Sequence, residues 1–229
     1  MGTELITALD VDTESKALDA VKACEGCSWF KVGLQLFVRS GPQIVTTIRQ
    51  LGENRVFLDL KYHDIPNTVG LAARAAAELG ASLITLHAAG GRKMIAAARE
   101  AVEGTDTRIL AVTVLTSLDD RMLRDEVGFP ETAREAVPRL ARMAVESGAH
   151  GVVASPHEAA GVRAVVGKDA LVVTPGIRPA WAVADDQARF TSPREAAEAG
   201  ADFIVVGRPI LKHPNPGEAV EHVLKELRG

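Results

Sequence analysis

The sequence predicts a single α/β domain, a (β/α)8 barrel of the TIM type over residues 1–229, on three observations. Eight short apolar runs alternate with longer amphipathic stretches. The repeat of roughly 25 to 30 residues runs through the whole chain with no break for a second domain. No G-x-G-x-x-G follows the first run, so the fingerprint of a dinucleotide-binding open sheet is missing.

The eight runs are Leu5–Asp10, Trp29–Gly33, Val56–Lys61, Leu83–Ala88, Ile109–Val114, Gly151–Ser155, Leu171–Gly176 and Phe203–Gly207. Several are β-branched and almost continuously apolar, as parallel strands buried on both faces should be. The stretches between them read as helices. Asn67–Leu79 places Val69, Ala72, Ala73 and Ala76 on one side at spacings of three and four, and Lys93–Val102 and Ala133–Ser147 behave similarly. Gly80, Gly148 and Gly200 each fall between a helical stretch and a strand, where a helix stop is expected. The longest irregular stretches, Thr116–Glu131 and Arg178–Ser192, both follow strands. They are therefore expected on the face where such barrels carry their chemistry, as candidate lids.

A chain that is 47% hydrophobic and 24% charged has material for a core and no signature of disorder. Its net charge of -4 gives no reason to expect nucleic acid or an anionic membrane as partner, so anion binding must come from local groups. No apolar run is long enough to span a bilayer, and the N-terminus lacks the features of a signal peptide; a cytoplasmic protein is expected. Cys24 and Cys27 have the spacing of a zinc or redox pair, but one pair lacks the other ligands of a structural zinc site. Two ordinary reduced cysteines are expected.

The chemistry concentrates in Val56–Thr68. Asp59 and Lys61 are two apart on one strand and should share its inner face near the barrel mouth. Asp64 follows three residues later, where strand gives way to loop. Asp10 ends the first strand, and Lys31 lies within the second among Trp29, Phe30 and Val32, where it needs a carboxylate such as Asp59. The plain alternative is a solvated strand end with a chance ion pair. Polar groups interrupting an apolar strand favour a charge array around a reacting centre, because such ions are costly to desolvate unless paired. Separately, strand seven leads to Arg178 and strand eight to Gly207 and Arg208, the loops that usually hold phosphate in these barrels. Arg208 can bind phosphate oxygens through its guanidinium fork; two surface arginines are the alternative. His63, His87 and His157 form no metal triad by spacing, and His87 is expected to pack or hydrogen-bond behind the site.

The segment Asp59-Leu-Lys-Tyr-His-Asp-Ile-Pro-Asn-Thr68 resembles the signature of the orotidine 5′-monophosphate decarboxylase family. Ala-Leu-Asp10, Phe-Lys31-Val-Gly, Leu-Thr116-Ser117, Thr-Pro-Gly-Ile-Arg178-Pro, Asp-Asp-Gln187 and Val-Gly207-Arg208-Pro match it in order, over nearly the full chain. The resemblance implies a cofactor-independent enzyme that converts orotidine 5′-monophosphate to uridine 5′-monophosphate in pyrimidine biosynthesis, with no metal. It implies that Lys61 protonates C6, that Asp59 sits beside the departing carboxylate, and that Lys31 holds Asp59 and contacts the ribose. Asp10 and Thr68 would bind ribose hydroxyls, Thr116 and Ser117 would lie near the pyrimidine, and Arg178, Gln187, Gly207 and Arg208 would hold the phosphate. It also implies a homodimer in which Asp64 and Thr68 reach the partner subunit's site.

Two other readings compete. Sister enzymes such as 3-keto-L-gulonate 6-phosphate decarboxylase and hexulose phosphate synthase resemble the Asp-x-Lys-x-x-Asp motif but use magnesium, with a glutamate where this chain has Lys31. A cation there would repel the metal. A non-catalytic barrel that binds a phosphorylated ligand is allowed by fold alone, but it gains little from burying so many ions.

Overall fold

Eight parallel strands close on themselves in chain order in the computed structural model, which describes residues 2–182 and 191–228. They are β1 (Glu4–Ala8), β2 (Trp29–Gly33), β3 (Arg55–Tyr62), β4 (Leu83–His87), β5 (Arg108–Val112), β6 (Gly151–Val153), β7 (Leu171–Pro175) and β8 (Phe203–Val206). β8 pairs back onto β1, with Thr7 opposite Val206, so no edge is left open. All eight coincide with the expected runs to within a few residues. Asp10 lies two residues beyond the end of β1, on the rim.

The near-continuous hydrophobicity of the strands has a direct cause: each strand faces two cores. Ile6, Ala8, Trp29, Phe57, Leu83, Leu110, Val173, Phe203 and Val205 pack together inside the barrel. Phe30, Val56, Leu58, Ile84 and Leu86 belong to the larger core between the strands and the surrounding helices. The N-terminal end of the barrel is plugged. Trp29 and Phe203 meet edge to face at 5.0 Å, the Trp29 indole N–H donates to Glu4 at 3.0 Å, and the Arg55 guanidinium lies 5.2 Å above the indole. Moving two residues along from Trp29, Phe57 and Leu83 leads to Lys31, Asp59 and Thr85. The inward-facing row thus turns from apolar to polar as the mouth is reached.

The expected helices form at Pro66–Glu78, Gly91–Ala101 and Ala133–Glu146. Thr132 and Glu135 close a capping box at the start of the last of these. Gly80, Gly148 and Gly200 take φ of 82°, 100° and 91°, the left-handed conformation that stops a helix at little cost for glycine. Thr116–Glu131 is less irregular than expected. It contains the helix Asp120–Asp125, started by the Asp119 carboxylate accepting from Met122 N–H at 2.8 Å. Six residues are too few to register as a period of apolar positions. In Arg178–Ser192, a short 3-10 turn covers Ala180–Ala182, and the Arg178 N–H donates to the Thr191 carbonyl at 3.0 Å, tying the two ends of the loop together. Among the described residues no helix is long and apolar enough to cross a membrane.

Candidate active site

β3 departs from a regular strand where it carries its charges. Leu58 pairs with Ile84 and Tyr62 with Leu86, so Asp59, Leu60 and Lys61 all stand opposite Thr85 alone. This bulge comes with a left-handed backbone at Lys61, φ 52°, the one positive-φ residue that is not glycine among those described. A side chain in that region carries a conformational cost, and the surrounding structure must hold it. Asp59 and Lys61 do converge, as their spacing suggested. Simple strand alternation is not what brings them together, because the chain is bent between them.

The Lys61 ammonium donates to both oxygens of Asp59 at 2.8 Å. Lys31 Nζ lies 3.8 Å from Asp59 Oδ2 and 3.0 Å from Asp10 Oδ1. The nearer partner of Lys31 is therefore Asp10, and Asp59 is its second. The Asp59 and Lys31 side chains are each 13% exposed, whereas Asp10 is 54% exposed. A carboxylate removed so far from water is tolerable here because cations lie on two sides of it. Gly33 leaves room for this packing, since a Cβ there would come within 3.1 Å of Lys31 Nζ. Asp10, Lys31, Asp59 and Lys61 line one cavity of about 140 Å³ at the mouth, with Gly33 and Leu34. Larger hollows of about 630 and 670 Å³ lie among the outer helices, and neither touches this array.

The other candidates ring the same end of the barrel. Asp64 and Thr68 are exposed on the loop and first helical turn after β3. Asp64 accepts from the Ile65 N–H at 2.6 Å, and among the described residues no cation pairs with it. Within one chain the array thus joins Lys31, Asp59 and Lys61 with Asp10, and Asp64 stands apart. Thr116 and Ser117 are exposed beyond β5. Arg178 follows β7, while Gly207 and Arg208 follow β8. A Cβ at Gly207 would sit 3.1 Å from Asp10 Oδ2, so the absence of a side chain lets the end of β8 approach the Asp10 carboxylate. Gln187 lies outside the described residues.

The family follows from the chain as a whole. The model of the orotidine 5′-phosphate decarboxylase / HUMPS family matches residues 3–223. The chain belongs to that family. It is similar to proteins named orotidine 5′-phosphate decarboxylase from Thermobifida fusca, at 49% identity over 100% of this chain and 97% of the relative, and from Heliobacterium modesticaldum, at 48% identity over 97% and 95%. Its fold matches the crystal structure of orotidine 5′-phosphate decarboxylase from Lactobacillus acidophilus with a TM-score of 0.87 and 40% identity, covering 99% of this chain and 100% of that one.

Within this family's barrel, sequence reasoning passed over Thr85. It is fully buried, its hydroxyl donates to Asp59 Oδ1 at 2.9 Å, and its oxygen accepts the Lys61 backbone N–H at 2.9 Å. The available signal was its place two residues beyond Leu83 on the inward row. His87 continues that row and lies 5.4 Å from His63, ring to ring. Burial holds the His87 imidazole below its ordinary pKa, with His63 and Lys61 adding to the effect. Among the described residues no three His, Cys, Asp or Glu side chains converge as a metal site requires. Cys24 and Cys27 are free thiols, and Cys27 Sγ accepts from the Thr7 hydroxyl at 3.2 Å. Burial pushes Cys24 up to about 12 and raises Cys27 as well, so neither is a ready thiolate.

Proposed function

We propose that this protein decarboxylates orotidine 5′-monophosphate to uridine 5′-monophosphate without a cofactor, and that Lys61 is its general acid. The observation that carries the proposal is the Asp59 carboxylate clamped between Lys61 and Lys31 at the barrel mouth. In the reaction the bond from C6 to the carboxylate breaks, carbon dioxide leaves, and the electron pair stays on C6 in the plane of the ring. No adjacent carbonyl delocalises that pair, so its stabilisation must come from charge already in place. Lys61 supplies the positive charge and then a proton from Nζ to C6. Asp59 lies beside the departing carboxylate and fixes Lys61. Lys31 braces Asp59 and Asp10, and Asp10 takes ribose hydroxyls.

Enzymes lower barriers by about 8–23 kcal/mol, more than one lysine provides. Remote binding supplies the rest: Arg178, Gln187, Gly207 and Arg208 hold the phosphate, while Thr116 and Ser117 flank the pyrimidine. That binding energy is spent on holding the ring against the charges. Asp64 and Thr68 act in the partner's site of a homodimer, in the cytoplasm. Two things support this: among the described residues no cation pairs with Asp64, and Leu34, Val38, Ile65 and Leu71 are exposed apolar residues in the two βα units beside the site. The HUMPS branch is disfavoured because Lys31 stands between Asp10 and Asp59, occupying carboxylates that a divalent cation would need.

Subunit exchange tests the reading. Asp64→Ala and Lys61→Ala homodimers are each expected to be inactive on orotidine 5′-monophosphate. Mixed and allowed to exchange, they should regain activity, because one site of each hybrid is whole. No recovery despite confirmed exchange would place Asp64 in its own subunit's site or outside the chemistry.

A further inference from the structure

We propose that Thr85 is a positioning residue for the reaction, its one hydroxyl locking both the Asp59 carboxylate and the left-handed backbone of Lys61. The inference rests on the decarboxylase reading and extends it to a residue outside the charge array. Three observations meet at this side chain. First, the β3 bulge places Asp59, Leu60 and Lys61 opposite Thr85 alone, so no other residue of β4 faces the irregular segment. Second, the hydroxyl is used in both directions: it donates to Asp59 Oδ1 at 2.9 Å and accepts from the Lys61 N–H at 2.9 Å. Third, Thr85 is 0% exposed, so water does not compete for either bond.

The bulge leaves the Lys61 N–H without a regular ladder partner, and a buried backbone donor must find one. The Thr85 oxygen is that partner. Its proton is thereby committed to Asp59, since a hydroxyl has only one to give. The result is a closed ring: Thr85 to Asp59, Asp59 to the Lys61 ammonium, and the Lys61 backbone back to Thr85. A strained backbone persists only where its surroundings over-determine it. This ring does so at the residue whose ammonium must meet C6. Thr85 touches neither the cavity nor any residue expected to bind phosphate, so its influence should fall on the chemical step and not on nucleotide affinity.

The test compares Thr85→Val, which keeps the shape and removes the hydroxyl, with Thr85→Ser, which keeps the hydroxyl and removes a methyl group. Steady-state turnover of orotidine 5′-monophosphate, binding of uridine 5′-monophosphate and the thermal midpoint are measured for both. Thr85→Val is expected to lose roughly 100-fold in kcat, the scale of a misplacement of about 1 Å, with product affinity within about twofold of wild type. Thr85→Ser should recover most of that loss. If Thr85→Val does not accumulate folded, Thr85→Ala replaces it, with the same Ser comparison. A kcat within about twofold of wild type for the hydroxyl-free variant overturns the proposal. So does a Ser variant as slow as the Val variant, which makes the effect one of packing, or a rise in KM at unchanged kcat, which makes it one of binding. A wild-type protein inert toward orotidine 5′-monophosphate would remove the decarboxylase reading and this proposal together. An active wild type with an undisturbed Val variant removes this proposal alone.

Discussion

Lys61 shows how much of a site one residue can carry. Its identity was legible in the sequence, because a lysine two residues from an aspartate in an otherwise apolar strand has few bland explanations. Its backbone was not. A φ of 52° at a lysine leaves no mark in composition or periodicity, since it arises from the register slip against β4. Lys31 was legible as a buried cation needing a carboxylate, but its closer partner proved to be Asp10 just beyond β1, which the pairing of β1 with β2 brings near. Thr85 was hidden for the opposite reason, as threonine is an ordinary strand residue whose partners lie on another strand. At this scale the expectation concerns Lys61→Ala. Removing the ammonium removes the proposed proton donor and its positive charge, while the residues proposed to hold the phosphate lie elsewhere. Turnover should fall by at least about 10²- to 10⁴-fold, with uridine 5′-monophosphate still bound within about tenfold of wild type, as isothermal titration would show. Normal turnover in that variant would contradict the role given to Lys61.

The elements were read nearly in full from the sequence, and for a physical reason. A barrel strand with one core inside and another outside becomes a continuous apolar run, and glycine at φ near 90° ends the helix before it. What escaped was the short helix Asp120–Asp125, set by the Asp119 cap and not by an apolar stripe. The start of β6 shows how an element can carry a pH dependence. His150 Nδ1 accepts the Ile109 N–H at 3.0 Å, a bond only the ring form with Nδ1 unprotonated can make. Burial, with Arg99 and Arg108, holds its pKa below the ordinary 6.5. The folded state then binds fewer protons than the unfolded one between the lowered value and 6.5, so stability rises with pH through that window and is lost as pH falls through it. His150→Asn puts an amide oxygen, which does not titrate, where Nδ1 stood. The drop in Tm from about pH 7.5 to about pH 5 should be smaller in this variant than in wild type. An equal or larger drop would mean that His150 contributes nothing to the acid sensitivity.

For the whole molecule, the barrel gathers groups from far apart in the chain at one rim. Asp10, Lys31, Asp59 and Lys61 reach the same cavity from β1, β2 and β3, and the candidate phosphate residues follow β7 and β8 next door. That convergence was legible once eight strands were counted, because closure in chain order sets β8 beside β1. Among the described residues no cation pairs with Asp64, and Ile65 and Val38 are exposed, which is what the proposed homodimer would cover. The proposed metal-free decarboxylation by this charge array is followed through the ultraviolet absorbance of orotidine 5′-monophosphate with the purified protein in EDTA. Conversion to the spectrum of uridine 5′-monophosphate is the predicted result. No change in EDTA, with turnover of a sugar phosphate once magnesium is restored, would contradict it and move the protein to the HUMPS branch.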